Sequence, residues 1–181
     1  MVKEITENAL KSAFGGESQA CMRYTIYAKK AKDEGFPNVS RLFTAIAFSE
    51  TIHASNHYRC IKSKGPALVT SGGLFGAKTT SENLQVGIDG ETFEVNEMYP
   101  AYKAIAQLQG EKEAEISFNW ALESEKVHAP LYQRAKKSVD ENKDVQLGTI
   151  YVCEVCGYTV EGTVPDVCPI CKAPKGKFKA F

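Results

Sequence analysis

The sequence predicts a mainly α-helical protein, a four-helix bundle followed by a small cysteine-bearing domain of strands and loops. Three observations support this fold class. Residues 6–138 contain few helix breakers and carry apolar residues at alternating spacings of four and three. A polar stretch at residues 138–144 has the composition of a linker. Four of the six cysteines then fall near the C-terminus, in two C-x-x-C pairs.

The composition limits the partners of the chain. Its 181 residues are 43% hydrophobic and 24% charged, which is enough apolar material for a buried core. Lys plus Arg is 22 and Asp plus Glu is 22, so the formal net charge is zero and argues against nucleic acid or an anionic membrane. The longest mostly apolar stretch, residues 42–48, is too short to cross a bilayer, and the N-terminus has no apolar signal core. We therefore expect a soluble cytoplasmic protein.

The first two predicted helices end at strong stop signals. The first ends before Gly35, with Pro37 behind it. The second covers about residues 38–63 and stops at the pair Gly65 and Pro66. The Gly-, Ser- and Thr-rich connection that follows is longer than the usual connections of a bundle. It predicts either the long crossover of a ferritin-like topology or the exchange of helix pairs between two chains.

The third and fourth predicted helices follow this connection. A T-x-x-E capping box is expected to start the third helix, which covers residues 79–110. The fourth covers residues 111–138. Pro100 and Pro130 fall inside these two helices, and each predicts a kink.

Each predicted helix has a glutamate in its apolar stripe. The stripes are, helix by helix, Leu10, Phe14, Glu17, Cys21, Tyr24, Ala28 and Ala31; Val39, Phe43, Ile46, Glu50, His53, His57 and Cys60; Leu84, Ile88, Glu91, Val95, Met98, Tyr102 and Ile105; and Phe118, Ala121, Glu125, His128, Tyr132 and Ala135. Four carboxylates buried together would repel one another. No Lys or Arg lies on these stripes, so the sequence predicts a metal among them. The alternative is a stripe displaced by one residue, with the glutamates in water.

The spacing of the ligand candidates agrees with a metal site. Two of the helices carry Glu-x-x-His, which places a carboxylate and an imidazole on one helix face. With one glutamate from each remaining helix, this is the di-iron or di-manganese pattern of ferritin-like bundles. The candidate ligands are Glu17, Glu50, His53, Glu91, Glu125 and His128.

An internal repeat supports the same site. The Glu-x-x-His motifs recur at an offset of 75 residues, and Glu17 and Tyr24 recur as Glu91 and Tyr99 at offsets of 74 and 75. Glu94, one turn after Glu91, breaks the symmetry because Ala20 is its counterpart. It is either a seventh ligand or a solvated surface residue.

The C-terminal cysteines predict a second metal site. Cys153, Cys156, Cys168 and Cys171 supply four thiolates from two turns, which suits zinc or iron. A structural zinc ribbon and a redox iron site both fit this ligand set, and the aromatic residues nearby favour iron. We place the bundle at residues 1–140 and this module at residues 148–181.

These motifs in combination resemble the rubrerythrin family. The resemblance rests on the run GGESQA with the following Arg-Tyr pair, Gly-Glu with Glu94, the run EMYP, both Glu-x-x-His motifs and a terminal C-x-x-C-G-Y…C-P-x-C. It covers nearly the whole chain in order. The family implies a ferritin-like bundle holding an Fe–O–Fe di-iron centre, and a rubredoxin-like domain holding a single redox iron.

The resemblance also implies a role for each candidate residue. One iron is bound by Glu17 and exchanges Glu94 for His53 as its redox state changes, and the other is bound by Glu91 and His128. The remaining roles, bridging carboxylates and hydrogen-bonding tyrosines, belong to Glu50 and Glu125 and to Tyr24 and Tyr99. Outside these roles we expect Cys21 and Cys60 to be packing residues. His57 is either a group supporting the ligands or a satisfied core histidine.

The function implied by the resemblance is peroxide reduction. Rubrerythrins are non-haem di-iron peroxidases that reduce hydrogen peroxide to water and protect against oxidative stress. Their electrons come from NAD(P)H through reductases and often through rubredoxin. Two other classes stay open on the residues alone: a ferroxidase or oxygen-scavenging protein on the same bundle, and a structural module with a zinc ribbon. Rubrerythrins are homodimers or larger, so we expect a homodimer. In this dimer each cysteine module passes electrons to the bundle of the other chain, beyond its own linker.

Overall fold

The computed structural model describes residues 2–73, 75–76 and 78–181. The helices are α1 (Glu4–Asp33), α2 (Pro37–Cys60), α3 (Thr80–Phe93), α4 (Tyr99–Gln109) and α5 (Lys112–Asp140), with a π-helical turn at Glu94–Met98. The strands are β1 (Ile150–Cys153), β2 (Thr159–Glu161) and β3 (Phe178–Ala180), with a 3₁₀ turn at Lys175–Lys177 before β3. The predicted fold class, a helical bundle followed by a small domain of strands and loops, is confirmed.

The bundle consists of two helix hairpins. In the first hairpin, α1 packs along α2. In the second hairpin, both α3 and α4 pack along α5, and α2 contacts α5 across the centre. The expected capping box is present, because Thr79 and Glu82 each accept a hydrogen bond from the other's backbone N–H. α2 ends at Cys60, earlier than predicted, since Ile61 is already extended. α5 runs through Pro130 without ending.

The third predicted helix is interrupted by the π-helical turn rather than simply kinked at Pro100. A π turn takes one more residue than an α turn. In the first half of the repeat Glu17 and Tyr24 are seven residues apart, whereas Glu91 and Tyr99 in the second half are eight apart. The π turn absorbs this extra residue, so Tyr99 has the same inward direction as Tyr24.

The π turn also corrects one predicted stripe. Met98, Tyr102 and Ile105 are only partly buried, whereas Tyr99 and Ala106 are fully buried. The prediction continued the α-helical spacing through the π turn. Beyond Val95 each predicted stripe residue therefore comes one position before the residue that is buried. The stripes of the other three helices lie largely inside, with Phe14 and Cys21 of α1 partly exposed.

The C-terminal module is a three-stranded antiparallel sheet in the order β2-β1-β3. It is joined to the bundle core, because Ile150 and Val152 of β1 are buried in the same cluster as the side chains of α2. Asp144 of the linker accepts hydrogen bonds from the backbone N–H groups at residues 38 and 39, at 2.8 and 3.2 Å, at the start of α2. None of the described helices combines the length and the apolar character needed to span a membrane.

Candidate metal centres

The bundle brings six predicted ligands together in two overlapping groups. Within each group, one ligand atom per residue lies within 4.8 Å of all the others. The groups are Glu17, Glu50, His53 and Glu125, and Glu50, Glu91, Glu125 and His128. All six side chains are at most 2% exposed. Glu50 and Glu125 belong to both groups, which is the position of a bridging carboxylate.

The two imidazoles point the same nitrogen at the carboxylates. His53 Nδ1 lies 2.8 Å from Glu50 Oε2 and 2.9 Å from Glu125 Oε1. His128 Nδ1 lies 2.6 Å from Glu125 Oε2 and 3.4 Å from Glu91 Oε2. In both residues Nε2 faces away from this centre. Nδ1 is therefore the nitrogen available to a metal ion.

Unpaired buried oxygens indicate that cations belong here. Glu17 Oε2, Glu50 Oε1 and Glu91 Oε2 are buried and have no hydrogen-bond partner among the described residues. Such an oxygen costs free energy unless a donor or a cation satisfies it. Carboxylates with imidazole are suitable ligands for iron, manganese or zinc. The residues therefore fit a pair of iron ions.

The pKa values of these carboxyl groups describe the strain of the metal-free centre. Burial, and then the negative charge of Glu94 and Glu50, raises the pKa of Glu17 well above its usual range. Burial and Glu50 do the same to the pKa of Glu125. Burial would also raise the pKa of Glu50, but the nearby imidazoles of His128 and His53 outweigh it and hold the pKa at about 2. The centre has more buried negative charge than the two imidazoles can balance, and bound cations relieve it.

The two predicted tyrosines each contact a terminal carboxylate. Tyr24 Oη donates a hydrogen bond of 2.6 Å to Glu91 Oε1. Tyr99 Oη donates to Glu17 Oε1. Both hydroxyls cross from one half of the repeat to the glutamate of the other half. The pairs Glu17 with Tyr99 and Glu91 with Tyr24 are thus related by the pseudo-twofold symmetry of the bundle.

Glu94 is the one predicted bundle ligand that lies outside both groups. It opens the π-helical turn and is only partly exposed. Its side chain lines a cavity of about 490 Å³, together with Arg23, Gly90 and Met98. In the described structure His53, and not Glu94, completes the ligand group of Glu17.

The four cysteines form the second centre. Their sulfur atoms all lie within 4.8 Å of one another. The Sγ atoms of Cys153 and Cys171, and those of Cys156 and Cys168, are each 3.6 Å apart. Cys171 is the partly exposed member. Four thiolates at this separation suit one tetrahedral ion.

The cysteine module lies directly on the bundle centre. Ser49 Oγ donates a hydrogen bond of 2.7 Å to the Gly157 carbonyl oxygen, and His128 Nε2 lies 2.9 Å from Thr159 Oγ1. Gly157 has φ of +85°, and a Cβ atom there would lie 2.2 Å from His53 Nε2. Both imidazoles therefore have their outer nitrogens against the loop and strand that follow Cys156.

We predicted that each cysteine module passes electrons to the bundle of another chain, and the observed contact is with a different bundle. The module lies on the centre of its own chain, because the linker is anchored along α2. Arg41 donates to the carbonyls of Gly148 and Leu147, at 2.8 and 3.0 Å, and Asp144 caps the start of the same helix. The described chain thus offers a route within one chain. The homodimer itself stays a prediction.

Several contact residues had no signal in the sequence. Ser49, Gly157 and Thr159 meet across two domains, and helical periodicity gives no information about such contacts. Cys21 is partly exposed, with Sγ 3.2 Å from Thr51 Oγ1, and lies on the outer side of α1 and α2. Cys60 is buried, as expected of a packing residue.

Comparisons with known proteins agree with this geometry. The sequence model of the family described as Rubrerythrin matches residues 8–136, and that described as Rubrerythrin, rubredoxin-like domain, matches residues 151–179. The chain is 47% identical to Rubrerythrin-2 of Clostridium acetobutylicum, over 98% of this chain and 97% of that protein. It is 35% identical to Nigerythrin of Nitratidesulfovibrio vulgaris, over 95% of this chain and 84% of that protein. The solved structure of fully reduced, all-ferrous nigerythrin superposes with a TM-score of 0.82 at 34% identity, covering 97% of this chain and 86% of that one.

Proposed function

Because the chain belongs to the rubrerythrin family, whose members are iron-dependent oxidoreductases of the peroxidase type, we propose that it reduces hydrogen peroxide to water. Iron held by the four cysteines of the rubredoxin-like domain would supply the electrons that the di-iron centre of the bundle requires. The biological role is protection against oxidative stress.

One observation carries this proposal: the four-cysteine module packs against both ligand imidazoles of the bundle. The contacts of Gly157 with His53 and of Thr159 with His128 leave no solvent-filled gap between the two domains at these points. A protein that only stores or oxidises iron does not need an electron-carrying site attached to its oxidation centre. A peroxidase that is reduced again after every turnover does.

We assign the bundle ligands as the family pattern implies. Bound iron would supply the two electrons that reduction of one peroxide molecule consumes. Glu50 and Glu125 would serve both metal positions, and Tyr24 and Tyr99 hold the terminal carboxylates in place. With iron bound, Glu94 would be the residue available to take the place of His53 at higher positive charge, since a carboxylate balances positive charge and an imidazole does not. The partly exposed position of Glu94, beside a cavity, supports this exchange.

The cavity next to Glu94 provides the route for the substrate. Its volume of about 490 Å³ exceeds what hydrogen peroxide requires. Arg23 lines it, and its guanidinium group carries hydrogen-bond donors. Peroxide entering here meets Arg23 and Glu94 before it reaches the buried ligands.

The electron donor is rubredoxin, an NAD(P)H-dependent rubredoxin reductase, or both in series. The module is suited to such a partner, because Cys171 is partly exposed while the other three cysteines are buried. Cys171 follows the partly exposed Ile170. A donor docking on this side approaches the sulfur site without disturbing its contact with the bundle.

The decisive experiment is anaerobic stopped-flow oxidation of the reduced protein by peroxide and, separately, by dioxygen. We expect peroxide to reoxidise both iron sites much faster than dioxygen does. Faster reaction with dioxygen would instead support an oxygen-scavenging or ferroxidase function. A colourless four-cysteine site would identify zinc there and would contradict the electron-carrying role.

A further inference from the structure

His57 is a fully buried histidine to which the proposed mechanism assigns no role. It lies one turn after His53 on α2 and is 0% exposed. Its Nε2 lies 3.0 Å from Tyr99 Oη, and its Nδ1 lies 2.8 Å from Ser117 Oγ. Tyr99 in turn donates to Glu17. An unbroken hydrogen-bonded row therefore runs from Ser117 on α5 through His57 on α2 and Tyr99 on α4 to Glu17.

The donors of this row all point in one direction. The single hydrogen of the Tyr99 hydroxyl is donated to Glu17, so Tyr99 can only accept from His57. His57 is fully buried and its hydrogen-bond partners among the described residues are two neutral hydroxyl groups, which suits a neutral imidazole with one N–H. That N–H is on Nε2, and Nδ1 accepts from the Ser117 hydroxyl. Every hydrogen in the row therefore faces the metal centre.

We propose that Ser117, His57 and Tyr99 form a proton relay that delivers protons to the Glu17 side of the di-metal centre. This inference rests on the proposed function, because reduction of hydrogen peroxide to two water molecules consumes two protons and two electrons. His57 acts through Tyr99 and is a positioning and relay residue, whereas Tyr99 touches the ligand itself.

Each passage moves one proton and no electrons. The Tyr99 O–H bond breaks and its proton passes to the Glu17 carboxylate. Tyr99 regains a proton from His57 Nε2, and His57 gains the Ser117 proton on Nδ1. Ser117 takes a proton from the solvent side. The imidazole stays neutral and changes its tautomer, so that Nδ1 carries the proton after one passage. Before the next passage the imidazole ring must reorient and the two hydroxyl groups must rotate back.

The entry point of the relay lies near the surface. Ser117 lies one turn after Glu113 and Ala114 on α5. Both of these residues line a surface cavity of about 250 Å³ together with Cys60 and Lys62. A proton therefore has a short path from solvent to Ser117.

The other half of the repeat lacks the relay. Tyr24 donates to Glu91 as Tyr99 does to Glu17, but Tyr132 stands at the position of His57, and Leu42 at that of Ser117. The Tyr132 hydroxyl is buried and has no hydrogen-bond partner among the residues described. The row is thus built only on the side where Glu94 and His53 lie. This asymmetry also supplies a matched control.

The first test reads the hydrogen positions directly. In the full chain loaded with Zn²⁺, which is diamagnetic, ¹⁵N NMR of the histidine rings reports which nitrogen of His57 is protonated. We expect a neutral ring with its proton on Nε2. A proton on Nδ1, or a doubly protonated ring, would overturn the relay whatever the enzyme activity.

The second test reads proton delivery. Ser117→Ala is expected to slow peroxide reduction by about a hundredfold, the lower end of the usual contribution of acid–base groups, and to enlarge the solvent deuterium isotope effect. Ser117→Thr, which keeps the hydroxyl, should restore both. Tyr132→Phe is the control and should change neither. A Ser117→Ala enzyme with wild-type rate and isotope effect would overturn the relay, whereas a wild-type chain that does not reduce peroxide would overturn the proposed function instead.

Discussion

Glu50 and Glu125 are the residues on which the bundle centre depends most, because both ligand groups contain them. They lie on α2 and α5, the two helices that also carry the ligand imidazoles and that contact each other across the centre. The four-cysteine site shares no ligand with them. Loss of one bridging carboxylate should therefore affect one metal centre and leave the other intact.

We expect Glu50→Ala or Glu125→Ala to lose the bundle iron and keep one iron per chain at the cysteines. Helix content should survive, because removing a buried carboxylate also relieves repulsion between like charges. Metal analysis and circular dichroism measure the two effects. The exposed Glu97→Ala is the control. Unchanged iron per chain in both bridging variants would contradict the ligand assignment.

The buried titratable groups predict how stability depends on pH when the bundle carries no metal and the cysteine site is loaded. The pKa values of Glu17, Glu94 and Glu125 are raised, chiefly by burial. Burial lowers the pKa of His128, but Glu125 and the other carboxylates raise it overall. The folded state therefore holds protons that the unfolded state releases near its ordinary pKa values, and this stability is lost as pH rises.

We therefore expect the melting temperature of this form to fall between about pH 5 and about pH 7.5. His57 acts in the opposite direction up to its ordinary pKa of 6.5, since its folded pKa is lowered to about 3, but the three raised carboxyl groups and His128 outnumber it. Glu50 acts in the opposite direction only at more acidic pH, since its folded pKa is about 2. Thermal unfolding followed by circular dichroism measures the change, and Glu125→Gln should weaken it. A melting temperature that rises over this range would show that the buried carboxyl groups are not the dominant titrating groups.

At the level of secondary structure elements, the turn after Cys156 determines how closely the two domains approach. Gly157 combines a positive φ with a close contact to His53. Gly162 has the same φ of +85°, yet a Cβ atom there would meet nothing within 4 Å in the described structure. The two glycines separate the effect of backbone strain from the effect of the interface.

Gly157→Ala should move the module away from the bundle and slow reoxidation of the reduced four-cysteine site by peroxide. Gly162→Ala introduces the same backbone strain without the steric contact, so we expect its reoxidation rate to change much less. Stopped-flow absorbance of the cysteine site measures both rates. Equal rates in the two variants would mean that the Gly157 contact does not control the approach of the domains.

The π-helical turn is the element that distinguishes the two halves of the bundle. It places Glu94 at the cavity and keeps Tyr99 directed at Glu17 despite one additional residue. The equivalent part of α1 is an unbroken α-helix. We infer that the extra residue has a functional rather than a packing role, since π turns occur frequently at functional sites.

Deletion of the exposed Asn96 should convert this turn to α-helix and keep Tyr99 in register with Tyr24. We expect the variant to fold and bind both metals, because the spacing from Glu91 to the tyrosine then equals that in α1. Glu94 would leave the cavity wall, so peroxide turnover should fall as far as it does in Glu94→Ala. Full turnover after the deletion would show that the π turn is not required for the exchange of Glu94 and His53.

At the level of the whole molecule, the described contacts join each cysteine module to the bundle of its own chain. A mixture of Glu50→Ala/Glu125→Ala chains with Cys153→Ser/Cys168→Ser chains tests this arrangement. Exchanged subunits should not regain peroxidase activity, because no chain then has both an intact bundle and its own intact module. Recovery would show that electrons cross between chains of the predicted homodimer, and sedimentation velocity of the wild type tests the dimer itself.

Much of the bundle and its centre follows from local sequence patterns. Apolar spacing of four and three, stop signals and the capping box predict the helices, since these depend on neighbouring residues. Glutamates on four buried stripes, two of them in Glu-x-x-His, predict the metal centre, because an unpaired buried carboxylate is too costly without a cation. The two C-x-x-C pairs predict the second centre for a similar local reason.

Three features depended on packing between segments far apart in the chain. The additional residue before Tyr99 could have produced a kink, a shifted stripe or a π turn, and the folded chain has a π turn. The row from Ser117 through His57 to Tyr99 joins three helices, so no spacing within one helix predicts it. The contact of Gly157 with His53 depends on the position of the linker, which Arg41 and Asp144 hold against α2. Helical periodicity states which side of a helix faces inward, whereas contacts between distant segments arise only when the whole chain is folded.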